Sequence, residues 1–206
     1  MVATDIDQIK LNLASREAEQ LHLTNLELRL VDVVNDGFEK FDFGHARFVL
    51  SHLRDPEKAL EKIRQVIRPG GVLAVQDTDF RGHFCHPEFG AFSRYVELYT
   101  KTVQRRGGDS NIGPRLPGLL VQAGFEAVQM NIVQVAELSG ESKLMAPITM
   151  ENIAGSVLAE GLASNAEIDR IIHALYEFAC RPDTVIGPRV MQTWGHRRQP
   201  VCQKAR

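Results

Sequence analysis

The stretch QDTDFRGHFCHPE, residues 76–88, places Asp77, Asp79, His83 and His86 directly behind an apolar run, VLAVQD. Carboxylates and imidazoles move protons near neutral pH, so these four are the candidate general bases. His83, Cys85 and His86 are also metal donors. HFCH has no familiar zinc spacing and no evident fourth ligand, which favours an ordinarily packed loop. Two more acids end apolar runs: Asp5 in VATDID and Asp32 in LELRLVDVV. An ionised carboxylate only accepts hydrogen bonds, so such a residue can take two hydroxyl protons at once, or cap the helix that follows. His45, Ala46 and Arg47 follow a third such run, FDFG.

The elements that must position these residues are legible in outline. Val2 to Ile6 reads as a strand, and Ile9, Leu13, Ala14, Ala18 and Leu21 recur on one face of a helix over 7–22. A strand opens after Asn25 and ends at Asp32. Another begins around Phe41 and passes through Gly44 into a turn. Asp55 and Pro56 then start a helix whose apolar residues are Ala59, Leu60, Ile63, Val66 and Ile67, and RPGG is predicted to stop it with a left-handed glycine. VLAVQD is a buried strand. Phe92, Tyr95, Leu98, Tyr99 and Val103 mark a helix, GPRLPGLLVQAG a shorter one closed by Gly124, and FEAVQMNIVQVA a strand. Two helices follow, the second opened by Ser164 and Glu167 at capping-box spacing, and RVMQTWGHR is the last strand. Strands alternating with helices predict an α/β sheet with right-handed crossovers.

At 206 residues with 44% apolar content the chain suits one domain, and no linker or repeat divides it. Its 24 basic against 26 acidic residues give no electrostatic reason to expect nucleic acid or an acidic membrane. No apolar run approaches the ~20 residues that span a bilayer. Together with three widely spaced cysteines, Cys85, Cys180 and Cys202, this reads as a cytoplasmic protein with reduced thiols.

In order and spacing, VATDID, VDVV, FDFGHARFVLSHLRDPEKALEKIRQVIRPGGVLAVQDTDF, IGPRLPGLLVQAGFEAV and TWGHR resemble the class I S-adenosylmethionine-dependent methyltransferases nearly end to end. The resemblance implies a Rossmann-like, mostly parallel sheet with helices on both faces, S-adenosyl-L-methionine as cofactor and a small-molecule methyl acceptor. It leaves a homodimer open. Carried over by position, Asp5 and Ile6 would meet the cofactor's ribose and Asp32 and Val33 its adenine. His45, Ala46 and Arg47 would line its methionine part. Asp7 matches less well and reads as a helix cap. The helices within 141–182 form an insertion, a packed layer or a lid, whose Met145, Ile148 and Met150 suit a small organic acceptor. Tyr95 and Tyr99 would wall that acceptor's pocket or pack in the core.

The resemblance also implies a first strand, a glycine-rich turn and a first helix ahead of VATDID. Neither Gly70-Gly71 nor Gly107-Gly108 follows a strand with the spacing of that turn. The expectation is a fold truncated at its N-terminus, with strands two and four of the family order left apart or re-paired, and weak or absent cofactor binding. A non-catalytic remnant acting as a binding or interaction module is the alternative. A nicotinamide-dependent oxidoreductase fits worse, since the chain has no YxxxK.

Overall fold

A computed structural model describes residues 1–36 and 39–199. The chain begins with β1 (Val2–Asp5), α1 (Gln8–Gln20) and β2 (Glu27–Leu30), and β1 and β2 pair in parallel with Asp5 opposite Leu30. Asp7 caps α1, its carboxylate accepting from Ile9 N at 2.8 Å. The apolar face foreseen for α1 is not buried: Ile9, Leu13 and Leu21 are exposed, Ala14 and Ala18 half-buried, and Leu11 is the buried residue instead. Periodicity selects a face only where a second layer receives it, and no such layer covers α1 among the described residues.

β3 (Phe41–Arg47) continues through Gly44 rather than turning there, because its backbone pairs in parallel with β4 (Ile67–Thr78) as far as Arg47 opposite Gln76. Between them α2 (Pro56–Val66) starts where expected, with Asp55 accepting from Lys58 N at 2.9 Å and Pro56 at the first position. Its stop differs. The helix ends at Val66, Ile67 is already extended, and Gly70, at φ +83, relaxes a bulge inside β4 instead of capping the helix. Ile67, opposite Phe41, goes into the core at 1% exposure, which outweighs one more helical turn.

β4 pairs antiparallel on its other edge with β8 (Arg189–Arg197), and β8 with β6 (Phe125–Gln134), giving a sheet of order β3-β4-β8-β6. α4 (Leu116–Gln122) and α2 bury Leu73, Val75 and Met191 on one face. On the other face His45, Ala74, Gln76, Gln192 and Trp194 line a trough of about 220 Å³. β1 and β3 do not pair with each other; each has a single strand neighbour among the described residues.

A second core is helical. α3 (Gly90–Arg105), α5 (Met145–Ala159) and α6 (Asn165–Cys180) enclose Tyr95, Leu98, Val103, Met150, Leu175 and Phe178. Ser164 caps α6 by accepting from Glu167 N, as its spacing foretold. FCH forms β5 (Phe84–His86), paired antiparallel with β7 (Val185–Gly187), a contact across about a hundred residues that no local pattern announces. No helix among the described residues is long and apolar enough to cross a membrane.

The two ends of the α5–α6 segment are tied by Lys143, which is 1% exposed. Its ammonium donates to Leu138 O at 3.0 Å, Arg181 O at 2.6 Å and Thr184 Oγ1 at 2.8 Å, and the Thr184 hydroxyl donates onward to Phe178 O. Lys143→Met would strand these acceptors in the interior. We expect a loss of about 2–3 kcal/mol in chemical denaturation, since hydrogen bonds to charged groups contribute about 1.5–3 kcal/mol. An unchanged midpoint would contradict the tie.

Candidate functional site

Parallel pairing brings Asp5 and Asp32 to the same, C-terminal, end of neighbouring strands, where Val31 N donates to Asp5 O at 3.0 Å. Asp5 uses one carboxylate oxygen to accept from Asp7 N at 2.9 Å, and no protein donor meets the other among the described residues. Ile6, beside it, is exposed.

Asp32 folds the following turn onto itself. Oδ1 accepts from Val34 N at 2.9 Å, Oδ2 from the Asn35 amide at 2.7 Å, and the Asp32 carbonyl takes Asn35 N and Asp36 N. The bond from Val34, and then that from Asn35, hold the Asp32 carboxyl below its ordinary range. Asp32 N in turn donates to Asp36 Oδ2. Within this turn, among the described residues, Val33 N–H is the backbone donor without a protein acceptor.

His45, Ala46 and Arg47 sit at the C-terminal end of β3, His45 and Arg47 exposed and Ala46 half-buried, with the Arg47 guanidinium over the Phe48 ring at 4.9 Å. They belong to the four-stranded sheet, whereas Asp5 and Asp32 belong to the β1–β2 pair. The candidate binding residues therefore fall in two groups that no strand pairing joins.

The four candidate bases separate sharply. Asp77 is 0% exposed, and its carboxylate accepts from Ser51 N at 3.0 Å and Thr78 N at 2.9 Å. Burial pushes its carboxyl up despite those bonds, and it has no surface to offer an acceptor molecule. Asp79 is buried beside Arg189, whose guanidinium lies 3.4 Å from Oδ2, while Oδ1 has no hydrogen-bond partner. His86 is exposed on β5. His83 is mostly enclosed, stacked against Phe80 with centroids 4.1 Å apart. Its Nε2 is buried and has no hydrogen-bond partner among the described residues. Of the tyrosines, Tyr95 is fully packed in the helical core. Tyr99 stacks on Phe80 at 3.9 Å, with its hydroxyl pushed up to about 12 by burial. Met150 is likewise core, while Met145 and Ile148 keep exposed surface.

Arg189 and Gln134 escaped the sequence reading. The Gln134 amide donates to Gly82 O at 2.7 Å and Gly187 O at 3.2 Å, and its oxygen accepts from Arg189 Nε at 3.4 Å. These residues knot the turn after β4 to the strand ends that flank the α5–α6 segment. Their sequence separations of 50 or more residues leave no local signal. Among the described residues no group of three or more His, Cys, Asp and Glu side chains is arranged to hold a metal ion.

Comparison with known proteins bears on the whole arrangement. Residues 1–73 match the family model described as a methyltransferase domain. Methyltransferase str3 of Strobilurus tenacellus is 37% identical over 97 residues, which cover 46% of this chain and 34% of that protein. The chain spans about a third of the length of the curated relatives it matches. Phosphoethanolamine N-methyltransferase 2 of Haemonchus contortus, solved with phosphomonomethylethanolamine and S-adenosylhomocysteine, superposes with a TM-score of 0.57 at 14% identity, covering 96% of this chain and 43% of that one. The [4+2]-cyclase SpnF superposes at 0.54 with 18% identity, covering 96% and 66%. At these identities the superpositions speak for the fold alone, which also serves a cyclase.

Burial, aided by the nearby Arg189 charge, takes the His83 pKa down to about 4, against the Arg189 carbonyl and Asp79. A histidine depressed in the folded state stabilises the protein above its unfolded pKa, about 6.5, and that contribution drains away as pH falls towards 4. We expect wild type to lose of the order of 3 kcal/mol more than His83→Gln between those pH values in urea denaturation. Parallel stability curves would show that the ring titrates normally.

Proposed function

We propose that this chain, whose fold is that of the class I methyltransferases, binds S-adenosyl-L-methionine and transfers its methyl group to a small organic acceptor. The observation that carries this is the β1–β2 end: among the described residues, a carboxylate oxygen of Asp5 free of protein donors stands one strand from a turn in which Val33 N–H lacks an acceptor. An acceptor-only carboxylate suits a pair of ribose hydroxyls, and a free backbone donor beside a carboxylate suits the ring nitrogen and amino group of an adenine. These are the positions at which the sequence resembles the family's cofactor residues, and the match over residues 1–73 covers them. Ile6 would cover one side of the nucleoside, and His45, Ala46 and Arg47 would line its amino-acid end.

When bound, the cofactor supplies an electrophilic methyl group on a sulfonium. The protein's task is then alignment and exclusion of water, because the displacement needs nucleophile, carbon and leaving group in line. The acceptor would enter beyond the C-terminal ends of β3 and β4, beneath the helices within 141–182 acting as a lid, where Met145 and Ile148 offer apolar surface. A hydroxyl acceptor must shed a proton. Asp77 is buried, Asp79 is ion-paired and the His83 Nε2 is enclosed on a ring whose basicity burial weakens, so His86, exposed on β5, is the candidate left with surface to meet the acceptor.

Because the two groups of binding residues lie in separate sheets, the cofactor must hold both in place, and affinity is weak. Titration of the isotope-labelled chain with S-adenosylhomocysteine, followed by NMR, tests this. Amide shifts are expected at Asp5, Ile6, Asp32 and Val33, with a Kd above about 10 μM. Asp5→Ala removes hydrogen bonds to a charged group contributing about 1.5–3 kcal/mol, and should weaken binding at least tenfold. Shifts confined to other residues, or an affinity unchanged in Asp5→Ala, would overturn the assignment.

A further inference from the structure

The glycine pair Gly107-Gly108 and the buried Asp77 are left without a role by this account, and both converge on one residue, Ser51. β3 hands over to α2 through a short connection containing the turn Leu50–His52. From below, Asp77 Oδ2 accepts Ser51 N–H at 3.0 Å. From the side, Asp109 N donates to Ser51 O at 2.9 Å, and Arg54 Nε donates to Arg106 O at 3.0 Å. Ser51 is 1% exposed, so both of its backbone groups are consumed inside the protein.

The glycines follow from that closeness. Gly107 adopts a left-handed φ of +87, and a Cβ on Gly108 would lie 2.3 Å from Ser51 O and 2.9 Å from Val103 Cγ1. Only a residue without a side chain lets the turn approach. Upstream, Phe48 N donates to Gln76 O at 2.8 Å, one residue before Asp77, so β4 grips the connection at both ends.

We propose that Asp77 and the Gly107–Asp109 turn form a two-sided clamp on Ser51 that positions the His45–Arg47 wall of the cofactor site. Asp77 is thus a positioning residue acting through Ser51, not a group that meets substrate. The inference rests on the cofactor reading above. Helix caps alone would leave this connection free to shift, because Asp55 fixes only the start of α2. A carboxylate holding a buried backbone amide is a stronger restraint than a neutral acceptor.

The test compares Asp77→Asn, Gly108→Ala and Lys143→Met with wild type by NMR hydrogen exchange and by S-adenosylhomocysteine titration. Gly108→Ala pushes on the carbonyl of the same residue, Ser51, and serves where Asp77→Asn fails to fold. Lys143→Met destabilises the distant helical core. The clamp predicts that the first two raise exchange at the Ser51 amide at least tenfold, shift the His45–Arg47 amides and weaken binding at least fivefold, while Lys143→Met leaves affinity within twofold. A protected Ser51 amide in both clamp variants, or an affinity that falls equally in all three proteins, would overturn it. If wild type shows no binding, the cofactor reading fails, and the clamp stands or falls on the exchange and shift data alone.

Discussion

The organising constraint of this protein is the need of β4 for hydrogen-bonding partners on both edges. An interior strand leaves alternate backbone groups pointing each way, and every one left unpaired costs about 1–3 kcal/mol. β3 answers one edge in parallel and β8 the other antiparallel. That double registration places Leu73 and Val75 in the core and delivers Asp77 and Asp79 to the strand's end, one to clamp the β3–α2 connection and one to meet Arg189. The catalytic-looking cluster is thus largely a product of strand register. Of the residues the segment 76–88 offers, the structure uses Asp77 and Asp79 to hold backbone and arginine, leaving His83 with an unspent ring nitrogen.

How far the sequence foretold this depends on the range of the interaction. Asp55 with Pro56 and Ser164 with Glu167 act within one helical turn, so α2 and α6 began where their caps stood. VLAVQD became a strand as its continuous apolar run suggested, though only the Leu73–Val75 face is buried and Ala74 and Gln76 line the trough on the other. RPGG misled for a physical reason: a glycine at positive φ serves a bulge as well as a helix end, and the burial of Ile67 against the sheet decided between them. The polar residues of HARF conceal a strand, because His45, Ala46 and Arg47 pair with residues 29 positions further along. The same reasoning explains why the candidate acids were legible and their supports were not. Asp5 and Asp32 close strand-like runs, a local pattern. Ser51, Arg189, Gln134 and Lys143 acquire meaning only from partners that the fold brings in.

The helical half obeys different physics from the sheet. Its core is aromatic and aliphatic, with Phe80 and Tyr99 stacked at its boundary, and it touches the strands chiefly through the turn after β4. The buried Lys143 has neutral oxygens rather than a carboxylate as partners. Such an ammonium is tolerated because all three protons are satisfied, and the arrangement specifies one geometry for the segment ends more than it adds stability. The Gln134–Arg189 knot does the same on the sheet side.

The opposite holds at the other margin. β1 and β3 each have a single paired edge, and Ile6, Leu30 and Phe43 are 69%, 56% and 61% exposed. Burying a side chain of that size contributes about 1.5–3 kcal/mol, so covering these three would add stabilisation comparable with a sizeable share of the ~5–15 kcal/mol that holds a typical domain together. A ligand that contacts Asp5 and Val33 on one sheet and His45 to Arg47 on the other must order the gap as it binds. Part of its contact energy goes into that ordering and is lost to affinity. The clamp on Ser51 acts on the same balance from the side that is already rigid. By fixing one wall in advance it leaves the ligand a single wall to organise rather than two.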